Sequence, residues 1–194
     1  MEFESSFFKE TIKSINLINR SLLDKICVAI LEVKQNKGRI FFIGVGGSAG
    51  NASHAVNDFR KLLNIECYCP TDNASEITAR TNDEGFETIF VEYLKISKLS
   101  NKDLIFIFSV GGGSKEKNVS VNLIKAIDYA KEIGSKVLGV VAKHDGYLAQ
   151  NGDLVIKLDI DNKNYLTPIS ESLQVLVWHY IVSNPKLMPN STKW

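Results

Sequence analysis

The sequence predicts an α/β fold, a parallel sheet covered by helices on both faces. Two observations carry this reading. Apolar runs of strand length alternate with stretches whose apolar residues recur at helical spacing. Two of the strands also run directly into turns rich in glycine and serine, each followed by a helical pattern. In such sheets ligands gather at the carboxyl ends of the strands, where both turns must lie.

Residues 3–36 carry apolar positions at Phe7, Ile12, Ile15, Ile18, Leu22, Leu23, Ile26, Ala29, Ile30 and Val33. Ser21 or Asp24 can start a second helix after Arg20, and Asn36-Lys37-Gly38 ends it. A helical hairpin therefore precedes the first strand. Phe3, Phe7 and Phe8 are sticky for an exposed first turn and point to packing against another subunit.

Ile40–Ile43 is a buried strand leading into Gly44-Val45-Gly46-Gly47-Ser48-Ala49-Gly50-Asn51, and Ala52–Leu63 is the next helix. A short strand over Glu66–Cys69, a turn at Pro70–Asn73, a polar stretch over Ala74–Glu84 and a helix over Phe86–Leu94 follow. The next strand, Asp103–Phe108, enters Ser109-Val110-Gly111-Gly112-Gly113-Ser114, and a long helix runs from there to Ile133, with Lys115 and Lys117 in its first turn. Lys136–Val141 and Leu154–Leu158 are further strands, and Ile169–Ile181 is the closing helix. The 194 residues fit one domain, with residues 1–37 as N-terminal helices and 38–194 as the αβα core.

A hydrophobic content of 44% and a charged content of 23% are those of a soluble globular protein. The net charge of +1 gives no electrostatic case for a nucleic-acid partner. Three cysteines, none in a C-x-x-C, argue against a disulfide framework or a structural zinc site and for a reducing cytoplasm. The start, Met1-Glu2-Phe3-Glu4-Ser5, lacks a signal-peptide charge pattern, and no apolar run reaches the roughly 20 residues that span a membrane.

A strand, a glycine turn and a helix start place unpaired backbone N–H groups and a serine hydroxyl around a small cavity, which suits an anion such as phosphate. The first turn is not a P-loop, and it completes G-x-G-x-x-G only in the relaxed form, with Ala49 as the third small residue. The second turn repeats the theme: Ser109 and Ser114 bracket three glycines, and an anion would offset the cost of Lys115 and Lys117 at a helix start. His54 and Asp58 stand four residues apart on one helix face. Glu171 and His179 stand eight apart on the last helix, a span of roughly 12 Å. Two histidines and two carboxylates suit a divalent metal or general acid–base work. They equally suit a packing His54 and a His179 placed with Trp178 and Tyr180 in a subunit contact. His144 reads as a polar turn residue.

These residues resemble a known family, the sugar isomerase (SIS) domain proteins, and within it the phosphoheptose isomerases. The resemblance rests on Gly44-Val45-Gly46-Gly47-Ser48-Ala49 followed by His54 and Asp58, on Asn82-Asp83-Glu84-Gly85-Phe86, on Ser109-x-x-Gly112-x-Ser114, and on Glu171 to His179. It covers nearly the whole chain. It implies a three-layer αβα sandwich with a five-stranded parallel sheet, flavodoxin-like or Rossmann-like, and a homotetramer with active sites at subunit interfaces. The implied reaction is an aldose–ketose isomerisation through an enediol. Sedoheptulose 7-phosphate becomes D-glycero-D-manno-heptose 7-phosphate for lipopolysaccharide or capsule.

The implied substrate and phosphate set is Gly46, Gly47, Ser48, Asn82, Asp83, Ser109, Gly112 and Ser114. Asp58 and His179 would move protons, and His54, Asp58, Glu171 and His179 would bind zinc. Several positions depart from the family pattern: Val45 for asparagine, Asn51 for aspartate, Asp58 for glutamate, Glu171 for glutamine, Gly111 for serine and Pro168 for an acidic residue. About five extra residues fall within Lys115–Val121. The alternative reading is a non-catalytic SIS protein that binds a sugar phosphate or a protein partner as a regulator.

Overall fold

The computed structural model describes residues 2–190. Met1, the first residue of the stretch read for a signal peptide, lies outside the described residues. The strands are β1 (Arg39–Ile43), β2 (Glu66–Tyr68), β3 (Leu104–Phe108), β4 (Lys136–Val141) and β5 (Leu154–Lys157). They form one parallel five-stranded sheet in the order β2-β1-β3-β4-β5. Phe42 pairs with Phe106 and Phe106 with Leu138 along the register. β3 is buried at every residue, as a central parallel strand with both faces covered must be.

On one face pack α2 (Arg20–Gln35), α3 (Gly47–Leu63) and α8 (Leu166–Val182), around Phe42, Phe59, Phe106, Phe108 and Trp178. On the other pack α5 (Ile89–Ile96), α6 (Val121–Ile133) and the short α7 (Tyr147–Asn151), around Phe41, Ile105, Ile107 and Leu148. The remaining helices are α1 (Glu2–Leu17) and α4 (Ala74–Asp83). α1 and α2 form the expected helical pair, and Asn19 caps α2 by accepting from the Leu22 N–H. The chain leaves β1 for β2 on one side and returns to β3 on the other. The strand order therefore reverses between β1 and β3, and both glycine turns follow these two strands.

Four boundaries differ from the sequence reading. α3 begins at Gly47 rather than Ala52, because Gly46 (φ 65°) turns the chain and its carbonyl accepts from the Ala49 and Gly50 N–H groups. Residues 74–83 are helical, not an irregular polar stretch. Asn73 caps this α4, Arg80 pairs with Glu76 and Glu84 at i,i+4 spacing, and no residue of the helix is buried.

α6 begins at Val121, so Lys115 and Lys117 lie outside it. Ser114 and Val119 exchange backbone hydrogen bonds at 2.9 and 3.1 Å and close the intervening residues into a small hairpin. The conflict of those lysines with a helix dipole therefore does not arise. α8 begins at Leu166, three residues early. Pro168 is tolerated there because first-turn N–H groups have no helical partner to lose.

Candidate phosphosugar site

The candidate residues lie in two groups, one around the ends of β1 and β3 and the start of α6, the other on the pair α3 and α8. Gly44 is confined by the turn: a β-carbon there would stand 2.3 Å from the Ser48 carbonyl oxygen. Ser48 is buried in the first turn of α3. Val45 projects from the turn, 38% exposed. It lies on the lip of a cavity of about 480 Å³ also lined by Phe86, Glu87, Asn118, Ser120, Val121, Asn122 and Lys125.

Ser120 immediately precedes α6 and makes no side-chain capping bond. Asn122 is 1% exposed. Its Oδ1 accepts from the Leu123 N–H at 2.8 Å, and its Nδ2 has no partner. An unpaired buried donor is costly, and this one lies on a residue that lines a cavity. Lys125 stands one turn further along α6, 3.8 Å from Glu87. A hydroxyl, an amide donor and an ammonium at the start of a 13-residue helix form an anion-binding arrangement.

Two turns along α3 from Ser48, three side chains converge. One donor atom each from His54, Asp58 and His179 lie within 4.8 Å of one another. His179 Nε2 is 3.7 Å from Asp58 Oδ2, and the Asn57 amide donates to Asp58 Oδ1 at 2.8 Å. The buried Trp178 backs both imidazoles, with ring centroids 4.7 Å from His54 and 3.6 Å from His179. Burial lowers the His179 pKa, the Asp58 charge raises it, and His54 lowers it again; the net is below the ordinary value of 6.5. Burial thus favours the neutral imidazole, the form that binds a metal. Two imidazoles and a carboxylate are the donor set of a zinc-type divalent cation.

The structure brings some expected residues together and separates others. Glu171 is not among the three converging ligands. Eight residues from His179 along α8, it lies against Gly47, where a β-carbon would meet both its carboxylate oxygens at 2.5 and 2.7 Å. Asn51 joins the helices: its Nδ2 donates to the Glu171 carbonyl and to Gln174 Oε1, both at 2.9 Å. Ser109 is buried and its Oγ accepts from the Gly112 N–H at 2.9 Å, which shapes the second turn.

Ser114 does not line the cavity behind Val45. Its Oγ accepts from the Lys117 N–H, and it faces a smaller cavity of about 160 Å³ with Lys117 and Lys143. Asn82 donates to Asp83 on the exposed end of α4, and neither lines the large cavity, although Phe86 just beyond them does. Ser120, Asn122 and Lys125 are the residues that the sequence reading missed. The available signal was a serine directly before the apolar-periodic run Val121-Asn122-Leu123-Ile124.

The sequence pattern of the SIS domain family matches residues 6–142. The chain belongs to the SIS domain family. It is 37% identical over 148 residues to the lincomycin biosynthesis protein LmbN of Streptomyces lincolnensis, over 73% of this chain and 54% of that protein. The chain thus spans about half the length of that relative. It is 26% identical over 179 residues to a phosphoheptose isomerase of Helicobacter pylori, over 89% of this chain and 87% of that one. Its fold matches the structure of phosphoheptose isomerase GmhA from Neisseria gonorrhoeae with a TM-score of 0.80 at 21% identity, over 93% and 95% of the two chains. This SIS chain therefore carries the expected five-stranded αβα fold, and no helix among its described residues is long and apolar enough to cross a membrane.

Proposed function

We propose that this SIS domain protein is a phosphosugar isomerase of the phosphoheptose type, converting sedoheptulose 7-phosphate to D-glycero-D-manno-heptose 7-phosphate. The observation that carries the reading is the convergence of His54, Asp58 and His179 on α3 and α8. α3 is the helix that the first glycine turn opens, and that turn contributes Val45 to the large cavity.

In this reading the phosphate is held by the Ser120 hydroxyl, the Asn122 Nδ2–H and the Lys125 ammonium, at the positive end of α6. Asp58 removes a proton from C1 of the ketose while His179 delivers one to the carbonyl oxygen at C2, giving the enediol. His179 then takes the proton from the C1 oxygen, and Asp58 returns its proton to C2, giving the aldose. No atom is gained or lost. Zinc would be held by His54, Asp58 and His179, and when bound it would supply Lewis-acid polarisation of the sugar carbonyl. Glu171 lies against the start of α3, and in this reading its charge orients sugar hydroxyls.

The reading extends to a homotetramer with sites at subunit interfaces, supported by the exposed Phe8, Ile12 and Ile15 along α1. It extends also to a cytoplasmic location, supported by three buried, unpaired cysteines, and to a product that feeds heptose synthesis for lipopolysaccharide or capsule. The test is incubation of the purified protein with sedoheptulose 7-phosphate, with and without added zinc. Formation of the aldose 7-phosphate, lost on chelation and restored by zinc, is the expected result. A folded, zinc-loaded protein that forms no aldose would overturn the isomerase assignment and leave the regulator reading.

A further inference from the structure

We infer that Asn118, at the tip of the Ser114–Val119 hairpin, is a specificity-determining residue that hydrogen-bonds the sugar portion of the bound phosphosugar. The inference rests on the isomerase reading for the identity of the ligand and for the placing of its phosphate at Ser120, Asn122 and Lys125.

The argument is one of elimination among the side chains that line the large cavity. The side chains of Val45, Phe86 and Val121 offer no hydrogen bond. Ser120, Asn122 and Lys125 are committed to the phosphate in the reading above, and the Glu87 carboxylate, 3.8 Å from Lys125, can only accept. Asn118 remains: its carboxamide carries both donors and an acceptor, as a sugar hydroxyl requires. The hairpin presents it from a fixed position. Ser114 and Val119 pair through their backbones. Lys115 reaches Asp128 at 3.4 Å and lies 4.6 Å over the Tyr147 ring, and the Tyr147 hydroxyl donates to Asp128.

A purely conformational reason for asparagine also exists. Asn118 has φ 50°, a region that asparagine tolerates better than most residues. The two explanations separate cleanly. Asn118→Gly keeps the backbone conformation and removes the carboxamide, whereas Asn118→Asp keeps the shape and replaces the donors with a negative charge.

Titration calorimetry of the wild type and both variants with sedoheptulose 7-phosphate, and separately with inorganic phosphate, tests the inference. Asn118→Gly is expected to weaken sugar phosphate binding by roughly three- to tenfold, the worth of one hydrogen bond, and to leave inorganic phosphate binding unchanged. Asn118→Asp is expected to weaken both. Equal sugar phosphate affinity in wild type and Asn118→Gly would overturn the inference, as would a wild type that binds no sugar phosphate. Binding that follows this pattern without turnover would sink the isomerase reading alone.

Discussion

Replacing Asn51 by alanine tests how α8 is held against α3, and the structure sets the size of the effect. The Asn51 amide makes two hydrogen bonds of 2.9 Å, to the Glu171 carbonyl and to Gln174 Oε1. Gln174 is fully buried, and its Nε2 already has no partner. In Asn51→Ala its carboxamide would lose the bond at Oε1 as well. An orphaned buried acceptor costs about 1–3 kcal/mol, and loss of the second bond to a helical carbonyl adds about 0.5–1.5 kcal/mol. The expected destabilisation is about 3 kcal/mol. At roughly 2–4 °C per kcal/mol for a chain of this size, the melting temperature falls by roughly 6–12 °C. Equilibrium unfolding in urea at fixed protein concentration measures the free energy directly. Adding Gln174→Leu to Asn51→Ala should recover about 1–2 kcal/mol, because it removes the orphaned groups rather than pairing them. A single variant within 0.5 kcal/mol of wild type, or a double variant no more stable than the single, would refute the reasoning.

Burial would push the Asp103 carboxyl up, but hydrogen bonds from Arg39 and Ser100 outweigh it and hold the group below its ordinary value of 3.8. A depressed folded pKa means that the unfolded chain binds more protons in acid. The contribution is therefore complete above pH 3.8 and lost as the pH falls through the folded value. Asp103→Asn should flatten that acid limb in unfolding measured from pH 6 downward, and an unchanged acid limb would contradict the assignment. In steady-state kinetics, Ser120→Ala should raise the Michaelis constant for the phosphosugar more than it lowers turnover, whereas Ser114→Ala should change neither by more than about twofold. The reverse pattern would return the phosphate to the second glycine turn.

The architecture was legible because the central strands are apolar runs with both faces buried, and Ile40–Ile43 or Leu104–Phe108 can be little else. The convergence of His54 with Asp58 was legible from their spacing, and His179 stood beside them as a candidate by residue type, its role given by the resemblance to phosphoheptose isomerases. Other features were hidden for physical reasons. α4 buries nothing, so it carries no apolar period and rests on a cap and two ion pairs. The start of α3 is masked by glycines that usually end helices. Most consequential is the Ser114–Val119 pairing, a contact between backbones that leaves little trace in side-chain chemistry. It displaces Ser114 and brings Ser120 to the cavity. Glu171 stands apart from the converging ligands because eight residues of helix set it roughly 12 Å from His179.

The central claim is that Asp58 moves a substrate proton. Isomerisation of sedoheptulose 7-phosphate in deuterium oxide, followed by magnetic resonance of the product, tests it most directly. The account predicts deuterium at C2 of the wild-type product to the extent that the proton held by Asp58 exchanges with solvent before its return, and for a folded Asp58→Asn variant a loss of turnover by at least about 100-fold. An Asp58→Asn variant that forms aldose at the wild-type rate would contradict it.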